Sequence, residues 1–240
     1  MNKIHLTLQS KGGIGKSLVA TMLAQFLNDE GRSPICFDTD PANATFTQVA
    51  ALSVQRIELQ DAQREINVRA FDPMMEKIMS EDRDFVIDNG SGSFVPLTNY
   101  LVQNGVFEML ADAGKEVYVH TVVTGGPSLL ITLQGLEALA SQLPPSVKLI
   151  VWKNEFFGEV VGEGKSFEEM SVYKRYKERI AGIIRIRAQN ASTFGEDMKR
   201  MLGDGLTFEE VASSEAFGLM ARQRLSTVRR YLWDQMRAVL

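Results

Sequence analysis

The sequence predicts an α/β fold, a mostly parallel, twisted sheet with helices on both faces. Three observations carry that expectation. Short apolar runs alternate with segments of helical periodicity along most of the chain. Several of those runs stop at a polar residue, among them Asp38, Asp88 and Asn154, as strands do at the edge of an open sheet. A length of 240 residues with 45% hydrophobic content suffices for one large core, so a single domain spanning 1–240 is expected.

The elements follow in order. Ile4-His5-Leu6-Thr7-Leu8 alternates as a strand does, and the Gly-rich turn at 10–15 leads into a helix over 17–27. There Val19, Leu23, Phe26 and Leu27 recur at helical spacing, and Gly31 stands where a left-handed cap closes a helix. The run 34–37 is a second strand ending at Asp38, and 85–87 is another ending at Asp88. Residues 117–123 predict a strand, 128–143 a helix, and 147–152 a strand ending at Lys153-Asn154. The pattern then weakens: 156–164 reads as an exposed loop and 167–179 as a charged helix, a variable insert over about 155–180. A short strand over 181–186, a helix over 192–202 stopped by Gly203 and Gly205, and a long helix over 216–239 complete the chain.

Composition narrows the function classes. Net charge is -4, which argues against bulk electrostatic attraction to nucleic acid. One cysteine, Cys36, can form neither an internal disulfide nor a metal cluster, as suits a reducing cytoplasm, and reads as a buried strand residue. The chain enters a strand at once, with no basic, apolar and small-residue leader, and its most apolar stretch is broken by Thr124-Gly125-Gly126-Pro127. A cytoplasmic protein is expected, with membrane association only peripheral.

The run Ser10-Lys11-Gly12-Gly13-Ile14-Gly15-Lys16-Ser17 carries chemistry. Glycines let successive backbone N–H groups turn inward around phosphate oxygens. The helix that follows adds unpaired donors and its dipole. Lys16 supplies a mobile charge for the β- and γ-phosphates, and the Ser17 hydroxyl is placed for Mg²⁺. This is a phosphate loop between strand and helix, and ATP with Mg²⁺ is the expected ligand.

The segment Lys11-Gly12-Gly13-Ile14-Gly15-Lys16-Ser17 resembles the deviant Walker A motif of the ParA/MinD family of P-loop ATPases, within the SIMIBI-type NTPases. The resemblance implies nucleotide contacts along Lys11, Gly12, Gly13, Ile14, Gly15, Lys16, Ser17 and Leu18. It also implies that Lys11 reaches phosphates bound by a second subunit, so that ATP drives homodimer formation. Asp38-Thr39-Asp40-Pro41 resembles the family's first switch, which makes Asp40 the residue that orients the attacking water and Asp38 a support of the Mg²⁺ shell. Phe85-Val86-Ile87-Asp88 matches a Walker B strand whose acid holds Mg²⁺ through water, with Asn89-Gly90-Ser91-Gly92 as a second switch. Asn154 falls where the family often has an asparagine that recognises adenine.

Other residues read more plainly. His5 and His120 are expected as satisfied structural histidines, and Met74, Met75 and Met79 as packing. The last helix sets Arg222, Arg224, Arg229, Arg230 and Arg237 against an apolar stripe of Leu225, Val228, Leu232, Met236 and Val239. Core packing is the reading favoured for it; contact with DNA or with an anionic membrane stays open. Within the family the opening residues, with Asp38-Thr39-Asp40-Pro41-Ala42-Asn43-Ala44-Thr45, look most like the TraL-type proteins encoded with plasmid conjugation genes. The resemblance implies a slow, partner-stimulated Mg-ATPase and dimerisation switch serving the conjugation machinery. A ligase of the dethiobiotin synthetase type is the alternative, and a switch that hydrolyses almost nothing is a third. A nitrogenase-like reductase is excluded, because a cluster bridging two subunits needs two cysteines from each.

Overall fold

Alternate residues of each central strand enter different cores. In the computed structural model, which describes residues 2–61, 63 and 65–240, the chain runs β1 (Lys3–Thr7), α1 (Lys16–Asp29), β2 (Ile35–Asp38), β3 (Gln55–Arg56), α2 (Asp72–Ser80) and β4 (Phe85–Asp88). It continues through α3 (Phe94–Gln103), α4 (Val106–Asp112), β5 (Glu116–Thr124), α5 (Leu129–Gln142) and β6 (Lys148–Asn154). A hairpin, β7 (Val161–Gly162) and β8 (Lys165–Ser166), precedes α6 (Ser171–Tyr176), β9 (Ile180–Ile186), α7 (Glu196–Gly203), α8 (Phe208–Ser213) and α9 (Leu219–Val239). Met1, with which the expected domain begins, lies outside the described residues.

Among the described residues the main sheet has seven strands in the order β3-β2-β4-β1-β5-β6-β9, and every neighbouring pair is parallel. Ile4, Leu6, Ile35, Phe37, Phe85, Ile87, Val119 and Leu149 face one core, roofed by α2 to α6. Cys36, Val86, Tyr118, Val122, Ile150 and Trp152 face the other, under α1 and α7 to α9. Both faces are therefore covered. That is why β2 and β4 read as continuous apolar runs, with each residue buried.

Several boundaries depart from the sequence expectation. α1 starts at Lys16, and Gly31, with φ +74°, provides the expected left-handed residue beyond its end. The stretch 156–164 is not wholly an exposed loop, since Val160 is buried and β7–β8 begins within it. The helix expected over 167–179 is broken: only Ser171–Tyr176 is α-helical, between short 3-10 turns. Phe167, Met170 and Val172 tie this segment to the core. The long last helix begins at Leu219, and α8 before it went unforeseen. Its capping box, Thr207 with Glu210, was readable, yet the helix is only six residues long. Met74 and Met75 pack in the core as expected, whereas Met79 is exposed.

Cys36 is buried in β2, and burial pushes its thiol up to about 12. His5 and His120 form a buried chain: Trp152 Nε1–H donates to His120 Nδ1 at 2.9 Å, and His120 Nε2 meets His5 Nδ1 at 2.9 Å. The indole can only donate, so His120 carries its proton on Nε2 and donates to His5. The expectation of satisfied histidines holds for His120 but not for His5, whose Nε2 is buried without a partner. Burial holds both rings neutral, with His120 lowered to about 3.

Because the folded value lies below the ordinary 6.5, this contribution to stability is complete above pH 6.5 and declines as pH falls toward 3. Asp38, raised to about 6 by burial, works in the opposite direction over part of that range. A comparison of variants isolates the histidine. Urea unfolding of wild type and His120→Gln at pH 7 and 4.5 should show wild type losing about 2–3 kcal/mol relative to the variant on acidification. An unchanged difference would contradict the buried neutral ring.

Candidate nucleotide site at the carboxyl edge of the sheet

Parallel register brings the chemistry together. Thr7 and Asp38 both lie level with Asp88, so three strand ends meet at one edge. The loop between β1 and α1 rises from this edge. Gly13 at φ +72° and Gly15 at φ +101° adopt the left-handed conformation that side chains resist. A Cβ at Gly15 would also lie 2.9 Å from Asn154 Nδ2. Gly15 caps α1 without any side-chain hydrogen bond, so the amides of the first turn face the loop with no intrahelical acceptor. Such an end is complementary to an anion.

Lys16 is buried at this mouth and donates from Nζ to the carbonyl of Lys11 at 3.0 Å. Burial lowers the affinity of its amine for a proton, while Asp88 and Asp40 act to raise it. The Ser17 hydroxyl lies close enough to the carboxylate of Asp88 to favour its charged form, and Thr7 Oγ1 donates to Asp88 Oδ1 at 2.7 Å. Burial raises the Asp88 carboxyl above its ordinary range, and the two hydroxyls and Lys16 oppose it. A hydroxyl and a carboxylate side by side, without a closed cage, suit magnesium, which keeps waters and takes its remaining ligands from phosphates. Among the described residues no group of three or more acidic, histidine or cysteine side chains forms a ready-made metal centre.

The two aspartates after β2 shape the loop that follows them. Asp38 is fully buried; Oδ1 accepts from Asp40 N, and Oδ2 accepts from Phe46 N and Thr47 N at 3.1 and 3.4 Å. Asp40 is partly exposed, and its Oδ1 accepts from Ala42 N at 2.8 Å and Asn43 N at 3.0 Å. Lys11 stands half-buried at the lip, Gly12 and Gly13 are exposed, Ile14 packs into the core beneath α1, and Leu18 is partly buried against it. Asn154, buried at the end of β6, donates from Nδ2 to the carbonyl of Ile14 at 2.9 Å and accepts from Phe156 N at 3.1 Å. In this geometry its amide braces the loop.

Residues 6–217 match the CobQ/CobB/MinD/ParA nucleotide binding domain. The chain belongs to that family. It is 47% identical over 238 residues to a Protein TraL of Escherichia coli, covering 99% of this chain and 98% of the relative. A second Protein TraL of Escherichia coli is 45% identical over 236 residues, covering 98% of each. Among solved structures, MinD complexed with Mg-ADP from Pyrococcus horikoshii superposes with a TM-score of 0.54 at 14% identity, covering 100% of this chain and 98% of that one. A chain of the MinC:MinD cell division protein complex from Aquifex aeolicus gives 0.54 at 16%, with 98% and 96% covered. At such identities the structures speak for the shared P-loop α/β fold alone.

Sequence reasoning missed part of the site of this ParA/MinD family member. Gln9, fully buried, donates from Nε2 to Thr121 Oγ1, Val122 O and Thr132 O and accepts from Ser10 N, which fixes the root of the loop to β5 and α5. Gly135 on α5 makes the room, since a Cβ there would lie 1.8 Å from Gln9 Oε1. Thr7, Thr39 and Ser93 were also passed over. The available signal was a polar residue closing an apolar strand, in Thr7 and in Thr39 just after Asp38.

The basic face of α9 is largely spent inside the molecule. Arg224 pairs with Asp197, Arg229 with Asp29, and Arg237 with Glu30 and Asp234. The apolar stripe from Leu225 to Met236 is buried, as the core-packing reading expects. Among the described residues no helix is long and apolar enough to cross a membrane.

Proposed function

We propose that the chain binds Mg-ATP on the loop 10–17, dimerises in that state, and resets by slow hydrolysis stimulated by a partner. The observation that carries this reading is the convergence of Lys16, Ser17 and Asp88 beneath the uncapped start of α1. Lys16 would leave the Lys11 carbonyl for the β- and γ-phosphate oxygens, exchanging one neutral acceptor for two charged ones. Ser17 would hold magnesium directly, Asp88 through water, and Asp38 would support that shell by keeping the loop after β2 in place. Bound magnesium supplies charge neutralisation on the phosphates. Asp40 would orient the attacking water, and Asn154 would border the base while holding Ile14. The backbone of Gly12, Gly13, Ile14, Gly15 and Leu18 would complete the cradle.

Lys11 would reach the phosphates of a second subunit, since two triphosphates buried face to face need cations from both sides. The likeness to TraL proteins supports an accessory role in plasmid conjugation, with a component of the transfer machinery as the partner. The internal ion pairs of α9 argue against DNA or an anionic membrane as its principal surface. A cytoplasmic location accords with this reading. A cavity of about 510 Å³ lies between α5 and the β7–β8 hairpin, and none of the loop residues or the aspartates line it, so this cavity does not favour the ligase alternative.

Sedimentation in ATP and ADP, with and without DNA or anionic liposomes, tests the reading. ATP should give a dimer and ADP a monomer, with neither added surface changing the result. In Lys11→Ala, nucleotide affinity should stay within about threefold while the dimer weakens by about tenfold or more. A chain monomeric in both nucleotides would contradict the switch.

A further inference from the structure

Two segments flank the proposed phosphate position, the loop after β2 and the segment 89–93 between β4 and α3. Both contain side chains that no role assigned so far requires. Thr39, Asn89 and Ser93 are each fully buried, so none can touch a nucleotide directly. Their polar atoms meet. Asn89 Oδ1 lies 3.1 Å from Thr39 Oγ1 and 2.7 Å from Ser93 Oγ, and Asn89 Nδ2 donates to Gly90 O at 3.0 Å. Ser93 Oγ also lies 2.8 Å from Thr39 O and 3.3 Å from Gly90 O, while Thr39 Oγ1 lies 3.0 Å from Asp88 O.

Each hydroxyl has one proton and several acceptors within reach. Ser93 can therefore donate across to the Thr39 carbonyl, or within its own segment to Asn89 or Gly90. The cluster is buried, and an unmade hydrogen bond there is costly, so the two segments are held in one shared arrangement. A second contact joins them outside the cluster. A Cβ on Gly90 would lie 2.4 Å from the carboxyl carbon of Asp40, so the second segment passes directly beneath the residue assigned to the water.

We propose that Asn89, Thr39 and Ser93 are positioning residues that fasten these two segments together, so that both respond to nucleotide as one unit. The fastening is a property of the free chain. Its consequence for nucleotide rests on the Mg-ATP reading above. Movement at Asp40 or Gly90 is transmitted through the cluster to Ser93 and so to the start of α3, which carries the exposed Val95 and Val102.

Hydrogen exchange on the full chain tests both parts, using Thr39→Val and Ser93→Ala, which remove hydroxyls with little change of shape, and Thr39→Ser, which retains one. Without nucleotide, Ser93→Ala should speed exchange of the amides at 42–47, in the opposite segment, by about tenfold, and Thr39→Val should do the same at 90–93. Thr39→Ser should behave as wild type. Variants that loosen only their own segment overturn the fastening. With magnesium and a non-hydrolysable ATP analogue, wild type should gain protection in both segments, and Ser93→Ala in only one. Protection of both segments in Ser93→Ala overturns the coupling, whereas a wild type with no affinity for the analogue contradicts the function reading and leaves the nucleotide-free exchange to decide the fastening.

Discussion

Lys16→Ala is expected to lose affinity for Mg-ATP by more than about a hundredfold, because each charge-assisted hydrogen bond to phosphate contributes on the order of 2 kcal/mol. Two features make the experiment clean. In the free chain Lys16 donates to a single backbone carbonyl, and burial already disfavours its charge, so removing it should leave the fold intact. Thermal unfolding without nucleotide should then coincide for variant and wild type, while added Mg-ATP should raise the midpoint of wild type alone. Calorimetric titration gives the affinities. An unchanged dissociation constant in Lys16→Ala would place the ligand elsewhere.

Asp40→Ala is expected to bind Mg-ATP normally and to hydrolyse it about a hundredfold or more slowly, so that the ATP-bound dimer accumulates. Alanine also removes the acceptor for Ala42 N and Asn43 N, which would loosen the loop. Asp40→Asn separates the two effects. Its amide oxygen can still accept from both amides, yet it offers no carboxylate to the water. Single-turnover hydrolysis should be slow in both variants, and a normal rate in Asp40→Asn would remove Asp40 from the chemistry.

What the sequence reveals follows from the range over which its patterns operate. The loop 10–17 is legible because its requirements are local: glycines at left-handed positions, then a lysine and a hydroxyl on the first helical turn. Strands buried on both faces are legible as short apolar runs. Asp38 and Asp88 were recognisable as strand ends, but only the parallel register shows that they share a level with Thr7. Apart from its methionines the region 46–80 shows no legible element, because its described elements are a two-residue strand, short 3-10 turns and one nine-residue helix, each too short for periodicity to mark. The Asn89 cluster joins residues 50 positions apart, and Gln9 reaches partners more than 100 positions away. No local pattern encodes such contacts. The arginines of α9 show the converse: the sequence presents a basic stripe, and only the fold reveals that Asp29, Glu30 and Asp197 neutralise much of it.

In the proposed function, the turn between β1 and α1 encloses the phosphates of a magnesium nucleotide. Crystals grown with magnesium and AMP-PNP would test it most directly. Phosphate density is expected against the amides that follow Gly12, with Lys16 Nζ moved from the Lys11 carbonyl onto that density and magnesium beside Ser17. Nucleotide bound at another place, with Lys16 still resting on Lys11, would contradict it.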